Sequence, residues 1–279
     1  MYTLDVLIQG FPGKTLHHGG LGWSTVPLIR GHNEVILIDT GSYSYRDPLL
    51  QRLEQLGLGL DDVTSVVLTH CHWDHICNYT LFPKAKIFVP NDDLEWALGQ
   101  PVGTWHIPEF HVEKLGADRR VIRVRDGDEF LPELRAVATP GHTPGHLGYI
   151  ARGERADLIF AGDAAKNQAE LMTEKVDMTL DLAASQASIR RLRMLAADRP
   201  ANIIVCGHDR LLSLDGDRVV YLASLQAAVT ARLSQEFEKE TVVDLVRAEH
   251  SMHIPEHVPN YPASVDVVKE RKPEYRGRG

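Results

Sequence analysis

Between Thr69 and Asn78 the chain reads T-H-C-H-W-D-H-I-C-N, which places His70, His72, Asp74 and His75 within six positions. An apolar run from Val63 to Leu68, bounded by Asp61 and Asp62, comes directly before it and predicts a buried strand that delivers all four side chains from one end. Neutral imidazole nitrogen and carboxylate oxygen both suit borderline divalent ions such as zinc, iron, cobalt or manganese. One ion cannot use four side chains from so short a turn, because they point in different directions. The stretch therefore predicts His70 and His72 on one ion and Asp74 and His75 on a neighbour, and the remainder of the chain is read around this turn.

H70-x-H72-x-D74-H75 resembles the signature of the metallo-β-lactamase superfamily, and T139-P-G-H142, A161-G-D163 and C206-G-H208 follow in that family's order. The resemblance covers roughly residues 1 to 212. It implies an α/β fold, a four-layer αββα sandwich whose two similar halves meet at a metal cleft. Strand, helix, strand with candidate ligands at the strand ends occurs in both halves and fits that architecture. The family pattern implies His70, His72 and His142 on the first ion, Asp74, His75 and His208 on the second, and Asp163 shared between them. Asp39, in D39-T-G41 at the end of an apolar strand, matches the first family motif and should accept a hydrogen bond from a metal-bound imidazole. His146 should have a structural role in its turn, since an open position is needed for water.

Within the superfamily the pattern is closer to lactone-opening and thioester-opening hydrolases than to antibiotic-destroying members, in which cysteine or serine would be expected in place of Asp163. The implied activity is hydrolysis of a small carbonyl compound, a lactone or related cyclic ester, by a hydroxide bridging two divalent ions, with zinc first and iron or manganese as alternatives. Asp74 is the candidate to carry a proton to the leaving group. Two other activities fit the resemblance: thioester hydrolysis of the glyoxalase II type, and an iron-dependent persulfide dioxygenase with a mononuclear centre resembling His70, His142 and Asp163. Lys166 stands where the acyl-homoserine lactonases that the chain resembles carry a tyrosine. A lysine there either points into solvent or favours a substrate with a carboxylate or strong oxyanion character.

Charge narrows the partners: 30 Lys plus Arg against 38 Asp plus Glu give a net −8, and no basic run interleaved with aromatics argues for nucleic acid. No window has the length and apolarity of a membrane span and the first residues do not read as a leader, so a cytoplasmic location is expected. Cys71, Cys77 and Cys206 are too few and odd in number for a disulfide framework and read as small buried residues beside a crowded site.

The length predicts a catalytic domain over residues 1–220 and a C-terminal part over 221–279, made of a helix from about Tyr221 to Ala248 and an extended, proline-bearing arm that could contact a second copy. Helices are also expected over Asp47 to Leu56, from about Leu94 after a cap at Asn91-Asp92-Asp93, and over Asp181 to Ala197. The last should turn Leu182, Ile189, Leu192, Met194 and Leu195 inward and Arg190, Arg191 and Arg193 outward. From Leu98 to Leu115 periodicity fails. That stretch reads as a loop walling the pocket, with Trp105 and Phe110 as substrate-contact candidates, and with His106 and His111 on the surface or bonded locally.

Overall fold

A computed structural model describes residues 1–14, 21–225, 227–233, 235–236 and 238–245. The chain begins as an antiparallel meander, β1 (Thr3–Ile8), β2 (Val26–Gly31) and β3 (Glu34–Ile38). It then alternates helix and strand: α1 (Arg46–Gln55), β4 (Ser65–Val67), the single turn α2 (Trp73–Ile76), β5 (Lys86–Pro90), α3 (Asn91–Leu98), α4 (Glu109–Ala117) and β6 (Val121–Val124). These strands form a six-stranded sheet in sequence order, with β3 to β6 parallel. Parallel strands are covered on both faces, which is why β3, β4 and β5 read as apolar runs and not as alternations.

The second half supplies β7 (Glu129–Leu131), β8 (Leu134–Ala138), β9 (Leu147–Ala151), β10 (Leu158–Gly162), α5 (Gln168–Thr173), α6 (Leu182–Ala197), β11 (Ile203–Cys206), β12 (Leu211–Asp215) and β13 (Arg218–Tyr221). They form a seven-stranded sheet in the order β13-β12-β11-β10-β9-β8-β7, parallel only between β10 and β11.

Side-chain alternation along the strands builds three cores and hence four layers. Leu28, Leu37, Val66 and Ile87 face Leu49 and Leu53 of α1, Leu94 of α3 and Leu115 of α4. Their neighbours Ile29, Ile36, Val67 and Phe88 point the other way and meet Ala136, Tyr149, Phe160 and Val205 of the second sheet. On that sheet's outer face Ile150, Ile159 and Ile204 pack on Ile189, Leu192 and Ala196 of α6. This is the expected αββα sandwich. Each fully buried Leu, Ile or Phe contributes about 1.5–3 kcal/mol. No helix among the described residues is long and apolar enough to cross a membrane.

Three expectations are corrected. Residues 98–115 are not one loop, because α4 occupies Glu109–Ala117 and buries Val112 and Leu115. On α6, Met194 is 75 % exposed and Leu182 is also exposed, whereas Ser185 and Ser188 are buried. Two small serines let the helix approach the turn after β8, where the Ser188 hydroxyl donates to the Pro140 carbonyl, and that contact sets the buried face. Between Tyr221 and Ala248 the described residues form no helix: β14 (Ala228–Ala231) and β15 (Thr241–Asp244) pair antiparallel. Of the apolar positions at helical spacing that suggested a helix there, Leu222, Leu225 and Val229 are half-buried while Leu233 and Val243 are exposed, so they form no single buried face. Thr230, Thr241, Val242 and Val243 are β-branched and favour extended backbone. The predicted arm lies outside the described residues.

Candidate metal centre

The seven side chains picked out by the sequence are brought to one place by strand ends of both sheets. His70 and His72 follow β4, and Asp74 and His75 lie on α2 just beyond; His142, Asp163 and His208 follow β8, β10 and β11. Three sets have ligand atoms within 4.8 Å of one another: His70, His72 and His142; His70, His75 and Asp163; and Asp74, His75 and His208. Asp163 stands between the outer two. Its Oδ2 is 3.3 Å from His142 Nε2, while its Oδ1 is 3.3 Å from both His75 Nε2 and His208 Nε2. Asp74 Oδ2 lies 3.3 Å from His208 Nε2 and 3.6 Å from His75 Nε2. Room for the Asp163 carboxylate comes from Gly207, where a Cβ would sit 2.0 Å from Oδ1.

Hydrogen bonds behind the rings fix which nitrogen faces inward. The Met178 carbonyl can only accept, so His142 Nδ1 carries the hydrogen in their 2.8 Å bond and Nε2 turns its lone pair toward His72 Nδ1, 2.9 Å away. Asp39 Oδ2 accepts from His75 Nδ1 at 2.8 Å and from the Thr69 hydroxyl at 2.8 Å. With its hydrogen committed to Asp39, the Thr69 oxygen is left to accept from His70 Nδ1 at 3.0 Å. The Nε2 atoms of His70 and His75 and Asp163 Oδ1 are then buried without a hydrogen-bond partner. Converging lone pairs and carboxylate oxygens repel unless a cation lies among them, so the donor set fits divalent ions. His146 differs: its Nε2 already accepts from the Asp163 backbone N–H at 3.1 Å, and Nδ1 donates to Thr139 Oγ1 at 2.8 Å. It is a structural support for the Asp163 turn.

Electrostatics divides the centre in the same way. Burial and neighbouring imidazoles hold His70 and His72 well below the usual histidine range, and burial takes His142 down to about 4. These rings stay neutral and available as ligands. Burial also acts against a charged His75, yet the carboxylates of Asp74, Asp163 and Asp39 outweigh it and raise His75 well above the ordinary value. His208 is raised by Asp163 and Asp74 against the effect of burial. This half of the centre therefore draws positive charge to the place where a second ion would sit. All three cysteines are buried, and burial pushes their thiols up, Cys77 to about 11, so none is a ready thiolate ligand.

The substrate-contact candidates are less uniform. Trp105 and Phe110 are both 77 % exposed. Trp105 stacks on His106 with ring centres 3.9 Å apart, and His106 in turn lies 5.2 Å from the His72 ring, so Trp105 joins the rim of the centre through His106. His106 is thus a neighbour of the centre and not simply a surface residue. The His111 ring is bonded not locally but to the Tyr43 hydroxyl, 68 residues away in the chain. Lys166 does not point into solvent: its side chain is 12 % exposed and Nζ lies 3.0 Å from Glu170 Oε1 as an ion pair. Sequence reasoning missed Glu170, which pairs with Lys166 four residues before it, and also Met178 and Asp93, whose roles arise from contacts between separate segments.

Residues 20–208 match the metallo-beta-lactamase superfamily, and the chain belongs to that family. It is 35 % identical over 174 residues to metallo-beta-lactamase domain-containing protein 1 of Xenopus laevis, covering 61 % of this chain and 66 % of that protein. It is 29 % identical over 195 residues to the hydroxyacylglutathione hydrolase of Aeromonas hydrophila, covering 67 % of this chain and 61 % of the relative. The chain thus spans less than two thirds of the length of either relative. Among solved structures, AidC, a dizinc quorum-quenching lactonase in complex with a product, has the same fold at a TM-score of 0.61 and 17 % identity, over 73 % of this chain and 80 % of that one.

Proposed function

We propose that the protein is a hydrolase that holds two divalent ions, zinc in the first place, and opens a small carbonyl substrate, a lactone or related cyclic ester. The observation that carries this reading is the Asp163 carboxylate, which offers one oxygen to His142 and the other to His75 and His208 at 3.3 Å each. Bound between these residues, divalent ions would supply a polarised carbonyl and a water acidic enough to attack it at neutral pH. The chain's part is to hold His70, His72 and His142 neutral, to fix His75 through Asp39, and to keep Asp74 at the mouth. The Asp74 side chain is 15 % exposed and close to both second-set imidazoles, which suits it to pass a proton to a leaving group.

Lys166 is drawn away from anion recognition by Glu170, so a neutral ring ester suits this pocket better than a carboxylate-bearing one. Thioester opening is the second reading, favoured by the likeness to hydroxyacylglutathione hydrolase. A mononuclear iron centre is less well supported, because it gives no role to the cluster of Asp74, His75 and His208.

The test is metal analysis of protein produced with several ions available, followed by assay on lactone, thioester, amide and phosphodiester panels. Two ions per chain with lactone turnover supports the proposal. A ratio that stays near one, with Asp74 and His75 replaceable at no loss, would sink the two-ion reading. Turnover confined to thioesters would select the second reading.

A further inference from the structure

Asp93 is 0 % exposed and belongs to no part of the centre described above. A buried carboxylate costs several kcal/mol unless its charge is met, and no ion pair to Asp93 is found among the described residues. Backbone and hydroxyl donors meet it instead. The Cys71 N–H donates to Oδ1 at 2.8 Å, the Thr143 hydroxyl donates to Oδ2, and the Gly145 N–H also donates to the carboxylate.

The identity of these donors is what matters. Cys71 is the residue between His70 and His72, and Thr143 immediately follows His142. One carboxylate on α3 thus grips both turns that carry the first ligand set, one turn from each sheet. The packing is tight enough that Gly145 admits no side chain: a Cβ there would lie 2.0 Å from the Asp93 backbone nitrogen. Asp74, His75 and His208 have no such link to Asp93 among the contacts of the described residues.

We propose that Asp93 is a positioning residue that sets the reach between His70–His72 and His142, and so governs binding at the first metal set without touching an ion. The inference rests on the metal-dependent reading given above. It predicts damage confined to one of the two sites, which a general loss of packing would not produce.

Cobalt(II) titration of metal-depleted protein, followed by visible absorption, separates the two sites, with His72→Ala and His208→Ala assigning the absorption bands. Wild type should take up two equivalents. Asp93→Asn keeps the volume but places an amide donor where the carboxylate accepted. It should weaken the first-set site at least tenfold and shift its band, while the other site stays within about threefold of wild type. Thr143→Val, a smaller change that removes one donor, should move the same site in the same direction, and it decides the matter if Asp93→Asn does not fold. Unchanged affinities, or equal weakening at both sites alongside a lower melting temperature, would overturn the positioning role. Absence of cobalt uptake by wild type would instead reject the metal reading on which the role depends.

Discussion

At the scale of residues, Asp163 and Asp39 carry separable tasks. Asp163→Ala should lower metal content and hydrolytic activity together, because both oxygens face ligand nitrogens. Activity lost with both ions retained would show that it does not bridge. Asp39→Asn leaves every proposed ligand in place but weakens the acceptor behind His75, so metal affinity should fall by 10–100-fold, measured by competition with a chromogenic chelator. His142 also predicts a pH effect. Its folded value of about 4 lies below 6.5, so the unfolded chain takes up a proton that the folded, metal-free protein refuses. Stability should fall as pH drops from 6.5 toward 4, with about 2–3 kcal/mol of that loss from this residue by pH 4.5. Urea unfolding of chelator-treated protein at pH 7 and 4.5 should show the pH-dependent loss shrinking by that amount in His142→Gln. The proposed ligands were legible in sequence because four of them sit in one local turn and the others follow Gly-containing turns at strand ends. Asp93 was not, since its partners Cys71 and Thr143 lie 22 and 50 residues away and leave no local pattern.

At the scale of elements, the strands of the first sheet, β8, β10, β11 and the helices α1, α3 and α6 were readable from apolar runs, while β7, β9, β12, β13, α4 and α5 were not. Asp181, where the predicted range begins, caps α6, its side chain accepting from Ala184 N at 3.0 Å; the cap expected at Asn91-Asp92-Asp93 is not there, because α3 already starts at Asn91, with Pro90 before it and no side-chain cap. The rotation of α6 about its own axis was not readable, because a serine pair buried against the turn after β8 counts as polar in any hydrophobic pattern. The corrected face predicts that Ile189→Ala costs about 2–4 kcal/mol, while Met194→Ala stays within about 0.5 kcal/mol. Urea unfolding of the two variants checks this, and comparable losses would restore Met194 to the buried face. The segment after Tyr221 failed for a different reason. Leucines and valines recur there at spacings that a helix also uses, and only the β-branched runs at 229–230 and 241–243 distinguish the hairpin.

For the whole molecule, metal binding and the joining of the two halves are one process under the proposed reading, since each ligand set draws on both sheets. Removing the ions with a chelator should therefore lower the melting temperature of the entire protein in a single transition, and restoring zinc should return it. A separate low-temperature step assigned to one sheet would argue against that coupling. The placement of His208 after β11 also has a consequence for synthesis. Residues 3–124 contain every strand of the first sheet together with His70, His72, Asp74 and His75, yet neither ligand set is complete when that sheet leaves the ribosome. The first set waits for residue 142 and the second for residue 208, so under the proposed reading four of the ligands are synthesised before either set is complete. On that reading the order of synthesis therefore fixes the order in which the two sets are completed, the first well before the second.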